Sequence, residues 1–253
     1  MSFSFASLGS GSRGNATLIR SNNALLLVDN GFTIKETERR LAILGHSPED
    51  ITAILVTHEH SDHIKGVGPF ARKYALPVYL THGTGQYDGL KKVTKMHQVN
   101  IHRAFTVEDI DITPVAVPHD AREPCQFVFR HHDKTMGLLT DLGSITPHVT
   151  EQYQHCDALM LECNHCPQML AMGPYPPSLK HRVAGHWGHL SNYQAANLLE
   201  QIERERLQHL VISHISEKNN TEELARAAVT PWYAHDSLIL AKQDEAIDWL
   251  AIN

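Results

Sequence analysis

Apolar residues in the first two thirds of the chain come in short runs separated by polar or glycine-containing turns, the pattern of strands rather than long helices. Runs at 3–8, 16–20, 24–29, 53–57, 77–81, 105–117, 126–130 and 135–140 are each predicted to be extended. Later runs at 158–161 and 210–213 read as buried strands, and 238–241 as a further one. Helical signals punctuate them. Thr33 followed by Glu36 predicts a capping box opening a helix that runs through Leu44 and stops at Gly45. Ser191 followed by Gln194 predicts another through about Arg206, and a third is expected to open near Asn220 or Thr221. Residues 166–188, rich in proline, read as an irregular excursion between a buried strand and a capped helix, placed to wall a pocket. Strands first and mixed elements afterwards imply two packed sheets flanked by helices.

Composition narrows this picture only in places. A chain of 253 residues with 42% hydrophobic content can bury a sizeable core, and no linker divides it, so one domain spanning 1–253 is expected. The apolar runs fall far short of the roughly 18 residues that a membrane span requires. The first residues carry neither a basic nor an apolar signal region, which makes a cytoplasmic location the expectation. Four cysteines without a secretion signal suggest reduced thiols. A net charge of −6 excludes a broadly basic coat for nucleic acid, although local contacts remain open.

Histidine changes the picture most. There are nineteen, and four ligand-type side chains, His58, His60, Asp62 and His63, follow directly on the apolar run Ile54-Leu55-Val56-Thr57. In extended backbone His58 and His60 point the same way, while Asp62 and His63 would open a helix through Phe70 and Tyr74 and be aimed back at the strand end. Such a set can supply two metal ions a few ångströms apart. His119, Asp141 and His214 each stand just past another apolar run, where sheet ends would present them to a shared cleft.

Taken in order, Asp29 in LLLVDNG, the H-x-H-x-D-H string from His58 to His63, His119, Asp141 in LLTDLG, and His214 resemble the signature of the metallo-β-lactamase fold superfamily. The resemblance implies an α/β fold, a four-layer αββα sandwich. It implies one metal on His58, His60 and His119, a second on Asp62, His63 and His214, Asp141 bridging, and Asp29 orienting the ligands. The strings SLGSGSRGN, LECNH, GPYPPSLKHR, GHLSN and SHISEKNNT are similar to the single-domain YycJ/WalJ/VicX branch, which is exonuclease-like. That branch has an acidic residue after the Asn-His pair, where this chain has Cys166. Other branches fit less well: di-iron relatives carry Glu where His60 stands, and the β-CASP insertion would not fit this length.

The implied chemistry is that of a dinuclear phosphodiesterase, a DNA exonuclease using metal-bound hydroxide, with Zn2+ or Mn2+ as the ions. Asp62 is expected to orient the nucleophile, and His214, His189 or a metal-bound water to protonate the leaving oxygen. Hydrolysis of a small phosphodiester, a cyclic nucleotide or sugar phosphate, is the alternative, with thioester or lactone hydrolysis behind it. Ser12, Arg13 and Asn15 in the glycine-rich 10–15 segment could cradle a phosphate or simply form a hairpin turn. Ser216, Asn219 and Asn220 could bind a terminal phosphate, or Asn220 could simply cap a helix, and His165 could face the cleft. Cys163 and Cys166 have the spacing of half a zinc site with no second pair to complete it. Lys91, Lys92, Lys95, Lys180 and Arg182 could track a nucleic-acid backbone or be a solvated face.

Overall fold

The computed structural model describes residues 3–234 and 237–253. Two sheets form. The first runs in the order β14-β1-β2-β3-β4-β5-β6, from Ile247–Ile252 (β14) through Phe3–Gly9 (β1), Ala16–Arg20 (β2), Leu25–Val28 (β3), Ala53–Leu55 (β4) and Val78–Leu80 (β5) to Met96–Gln98 (β6). The second runs in the order β13-β12-β11-β10-β9-β8-β7. Its strands are Leu238–Leu240 (β13), His209–Ser213 (β12), Ala158–Glu162 (β11), Lys134–Leu139 (β10), Cys125–His131 (β9), Ile110–Ala116 (β8) and Phe105–Val107 (β7).

Strict alternation explains why both faces of the central strands are apolar. In β3, Leu26 and Val28 point between the sheets while Leu25 and Leu27 point outward. In β12, Val211 points inward and Leu210 and Ile212 outward. The outward residues of the first sheet pack on helices α1 (Ile34–Ile43) and α3 (Val67–Tyr74). Those of the second pack on α4 (Pro147–Gln152), α7 (Asn192–Gln201) and α8 (Glu222–Val229). The result is the expected αββα sandwich, with an inner layer from both sheets and an outer layer on each.

Strand direction positions the site. β3, β4 and β5 are parallel, as are β10, β11 and β12, and β8 runs with β10 because each is antiparallel to β9. Their carboxyl ends therefore meet along one edge, where open α/β sheets present ligand sites.

Several local expectations need correction. The 105–117 run is a hairpin, because Glu108 takes a positive φ of 53° and lets Val107 pair with Ile110 across two polar residues. The helix after His60 is split into Ser61–Ile64 (α2) and α3. Helix α7 ends at Gln201 rather than near Arg206; Ile202 turns extended and inward, and the Arg204 guanidinium donates to Glu200 O of the last turn at 3.2 Å and to Ile202 O at 2.9 Å. Residues 166–188 are not irregular throughout but form Pro167–Met172 (α5) and Pro177–Ala184 (α6), each started by a proline whose missing N–H costs nothing there.

Thr33 caps α1 as expected, accepting from Glu36 N, yet no reciprocal box forms because the Glu36 carboxylate is engaged elsewhere. It accepts from Arg39 at 2.9 and 2.7 Å and from the buried Arg40 at 2.6 Å. Arg39, and after it Arg40, hold this carboxyl down at about 2, against burial acting the other way. A depressed acid stabilises above its ordinary value and loses that contribution as pH falls towards its folded one. Glu36→Gln is thus expected to cost about 1 kcal/mol at neutral pH, discounted for partial exposure. Urea denaturation should show the gap between wild type and variant narrowing at about pH 3.5.

Candidate metal centre

The side chains of His58, His60, Asp62 and His63 are brought to the shared edge, together with residues from the ends of β8, β10, β11 and β12. Asp29, Asp141 and His214, just beyond β3, β10 and β12, have positive φ values of 59°, 53° and 53°. This turns each chain sharply at the strand end, a conformation that Asp and His tolerate better than most residues and that clusters at functional sites. Gly31 permits a further close approach, since a Cβ there would lie 1.8 Å from the Asp62 carbonyl oxygen. That oxygen also accepts from Asn15 N at 2.8 Å, so the first turn of α2 is gripped from two loops.

Ligand-type atoms of His58, His60 and His119 converge within 4.8 Å of one another, and so do those of Asp62, His63 and His214. Asp141 stands between the groups, its Oδ2 at 3.0 Å from His63 Nε2 and its Oδ1 at 3.5 Å from His214 Nε2. The five imidazoles follow one rule: one ring nitrogen is anchored to an oxygen outside the cluster and the other faces in. Thr57 Oγ1 donates to Asp29 Oδ2, so it must accept from His58 Nδ1 at 2.9 Å. His63 Nδ1 donates to Asp29 Oδ2 at 2.8 Å and His119 Nδ1 to Gly188 O at 2.9 Å. His214 Nδ1 meets Glu162 Oε1 at 3.2 Å. His60 is reversed, its Nε2 on Asp120 O at 3.2 Å and its Nδ1 inside, 3.1 Å from His119 Nε2.

This donor set fits divalent cations. His58 Nε2 and Asp141 Oδ2 are buried with no hydrogen-bond partner, which is costly unless something electrophilic lies between them. Imidazole lone pairs with two carboxylates, each ring fixed by an outer oxygen, are what such ions require. Without ions the cluster is electrostatically divided. Burial, with His63 beside it, pushes His58 well below the usual imidazole range. Burial would depress His214 too, but Asp141, Asp62 and Glu162 push it up to about 10. Burial would raise the Asp62 carboxyl, yet His63 and His214 hold it well below the usual range.

The cluster opens into a pocket of about 300 Å³. It is lined by His60, Asp62, Asp141, His189 and His214 of the sheet edge and by Tyr175, Leu179, Arg182 and Val183 of the 166–188 segment, with Ser12 and Ser216 also reaching it. The 166–188 segment does wall a pocket, as helix. The three residues expected to be catalytic, Asp62, His189 and His214, all reach it.

Glu162 was not singled out in the sequence, though it occupies the same kind of strand-end position as Asp141 and His214. Its Oε1 is 2.8 Å from His189 Nδ1, and its Oε2 accepts from Leu142 N at 3.0 Å and Leu190 N at 3.1 Å. Its carboxyl is held at about 2; burial acts against this, and His189 and His214 outweigh it.

The expected phosphate contacts divide. Ser12 and Ser216 reach the pocket. Arg13 does not; it is paired with Asp244 at 2.6 Å and Glu217 at 3.1 Å on the surface. Asn15 is buried and committed within the protein, donating to Gly11 O at 3.1 Å and Asp62 Oδ2 at 3.3 Å while accepting from Gly11 N at 2.9 Å. Asn219 is buried behind Ser216, and His165 is buried off the pocket, in a bridge with Ser191. Of the basic residues considered, Arg182 alone lines the pocket, bonded to Asp120, whereas Lys180 is turned to Ala171 O at 2.6 Å and Lys91 pairs with Asp88 at 2.9 Å. Neither Cys163 nor Cys166 joins any cluster of metal-ligating groups among the described residues. No helix among them is long and apolar enough to cross a membrane.

Residues 25–215 match the family described as Beta-lactamase superfamily domain. The chain belongs to the β-lactamase superfamily. Within that superfamily it is 36% identical over 242 residues to exodeoxyribonuclease WalJ of Streptococcus pneumoniae, covering 93% of this chain and 90% of that one. It is also 36% identical over 234 residues to exodeoxyribonuclease YycJ of Bacillus anthracis, covering 91% and 89%. Among solved structures, the metallo-β-lactamase fold protein YhfI of Bacillus subtilis superposes with a TM-score of 0.73 over 97% of this chain and 99% of its own, at 17% identity. This superfamily member thus has the fold that the sequence signature implied.

Proposed function

We propose that the chain is a metal-dependent exonuclease that hydrolyses phosphodiester bonds at DNA ends, with two divalent ions, Zn2+ or Mn2+, in the two ligand groups. The observation that carries the hydrolytic part is the pair of converging groups, His58/His60/His119 and Asp62/His63/His214 with Asp141 between them, opening into one pocket. The choice of DNA rests on near full-length similarity to the two exodeoxyribonucleases. Ions bound there would polarise a phosphoryl oxygen and make water a nucleophile near neutral pH.

The protein's own groups supply the rest. Asp62, exposed to the pocket and oriented by Asn15, accepts a hydrogen bond from the attacking water and fixes its direction. His189, held through Nδ1 by Glu162, presents Nε2 to protonate the leaving oxygen. Asp29 locks Thr57 and His63, so the neighbouring imidazoles keep their orientation before substrate arrives.

The test is incubation of protein loaded with Zn2+ or Mn2+ with end-labelled single-stranded and duplex DNA, a cyclic nucleotide and a thioester. Stepwise shortening of DNA from an end, abolished by chelator and restored by metal, is expected, with about two ions per chain by elemental analysis. DNA left intact with both metals would overturn the nuclease assignment, and turnover of the cyclic nucleotide or thioester alone would reassign the substrate.

A further inference from the structure

The pocket has two chemically different walls. The ionic one holds the candidate ligands; the other is Tyr175 with Leu179 and Val183, the last two spaced i,i+4 on α6 and so on one face of that helix. Against Tyr175, Leu179 and Val183 a phosphodiester and its sugar would lose water with few polar partners in return, since the neighbouring Arg182 is already bonded to Asp120. A flat aromatic ring would fit this wall. We propose that Tyr175, backed by Leu179, is the platform on which the base of the terminal nucleotide stacks, which deepens the nuclease reading and rests on it.

Three features support the assignment. The pocket, about 300 Å³, is at the small end of ligand sites, suited to one nucleotide rather than a through-running duplex. Tyr175 is pre-set: prolines 174 and 176 flank it, Lys180 N bonds Pro176 O at 3.0 Å, and Gly173 lies so close that a Cβ would come within 2.5 Å of Asn219 Oδ1. A backbone already held in place loses little freedom on binding. The Lys218 ammonium lies 5.9 Å from the Tyr175 ring centre, at the outer limit of a cation–π contact. Stacking also suits an enzyme that must take every base in turn, because each base has a π-face.

The experiment compares single-stranded oligonucleotides that carry either normal terminal nucleotides or abasic residues at both ends. Degradation by the metal-loaded wild type, Tyr175→Ala and Tyr175→Phe is followed, and anisotropy of dye-labelled strands reads binding to metal-free protein. Wild type is expected to process the abasic ends about tenfold more slowly. Tyr175→Ala should lose about the same factor on normal ends, mainly in KM, with little further loss on abasic ends, and Tyr175→Phe should restore it. Metal-free binding should weaken in parallel. Wild type that removes both kinds of end equally fast, or Tyr175→Ala equally impaired on both, would overturn the stacking role while leaving the nuclease reading intact. Wild type that degrades neither strand removes that reading, and the proposal with it.

Discussion

Asp62→Ala is expected to reduce DNA hydrolysis by about three orders of magnitude or more while leaving the protein folded. The side chain faces the pocket and is partly exposed, so its removal opens no core cavity. What holds the first turn of α2 is the Asp62 backbone carbonyl, which accepts from Asn15 N at 2.8 Å and survives the substitution. What is lost is one carboxylate lying 3.5 Å from His63 Nε2 and 3.3 Å from His214 Nε2, the anion that completes the second ligand group. Metal content should fall towards one ion per chain, because His63 and His214 would then share only the Asp141 carboxylate with the first group and hold a divalent cation more weakly. Native mass spectrometry and steady-state kinetics on the same preparation would check both. A variant that cleaves as fast as wild type would place the activity elsewhere.

How much of this was legible from the chain depends on where each residue's information lies. His58 to His63 could be read because strand alternation and one helical turn are local rules, and they determine where four neighbouring side chains point. His119, Asp141 and His214 could be read from position, each just past an apolar run. Glu162 satisfies the same rule at the end of β11, and its run of buried residues was recognised, yet a single Glu after a strand has no close ligand-type neighbour to raise its weight. Its role emerges only when parallel pairing of β10, β11 and β12 sets it beside His189 and His214.

Asn15 and Arg13 show the reverse error. A glycine-rich loop with an arginine and an asparagine has the composition of a phosphate cradle. Which groups are free, however, depends on residues 204 to 231 positions away, Glu217 and Asp244 for Arg13, and on Asp62 for Asn15. Long-range pairing of that kind has no periodic signature. Tyr175 was hidden differently: prolines that suggested an irregular segment instead start α5 and α6, and the helix they start is what turns Leu179 and Val183 to the pocket.

His189→Ala is expected to slow DNA hydrolysis by about a hundredfold to ten-thousandfold, the range for loss of a positioned proton donor. The same variant should lose less than about tenfold on a p-nitrophenyl phosphodiester, whose leaving oxygen departs readily as an anion. That contrast separates a proton donor from a residue that merely supports the site, since structural damage would slow both substrates alike. Geometry selects His189 over His214. The Nε2 of His214 is already turned between Asp62 and Asp141, 3.3 and 3.5 Å away, inside a ligand group. His189 comes together with Asp141, Glu162 and His214, but it does so through the Nδ1 that Glu162 anchors, and its ring lines the pocket. Glu162 would keep His214, Leu142 N and Leu190 N as partners in the variant, so no buried carboxylate is stranded and the fold should persist. Equal losses on both substrates, with unchanged thermal stability, would return the donor role to another group in the pocket and leave His189 as a support for the Glu162 carboxylate.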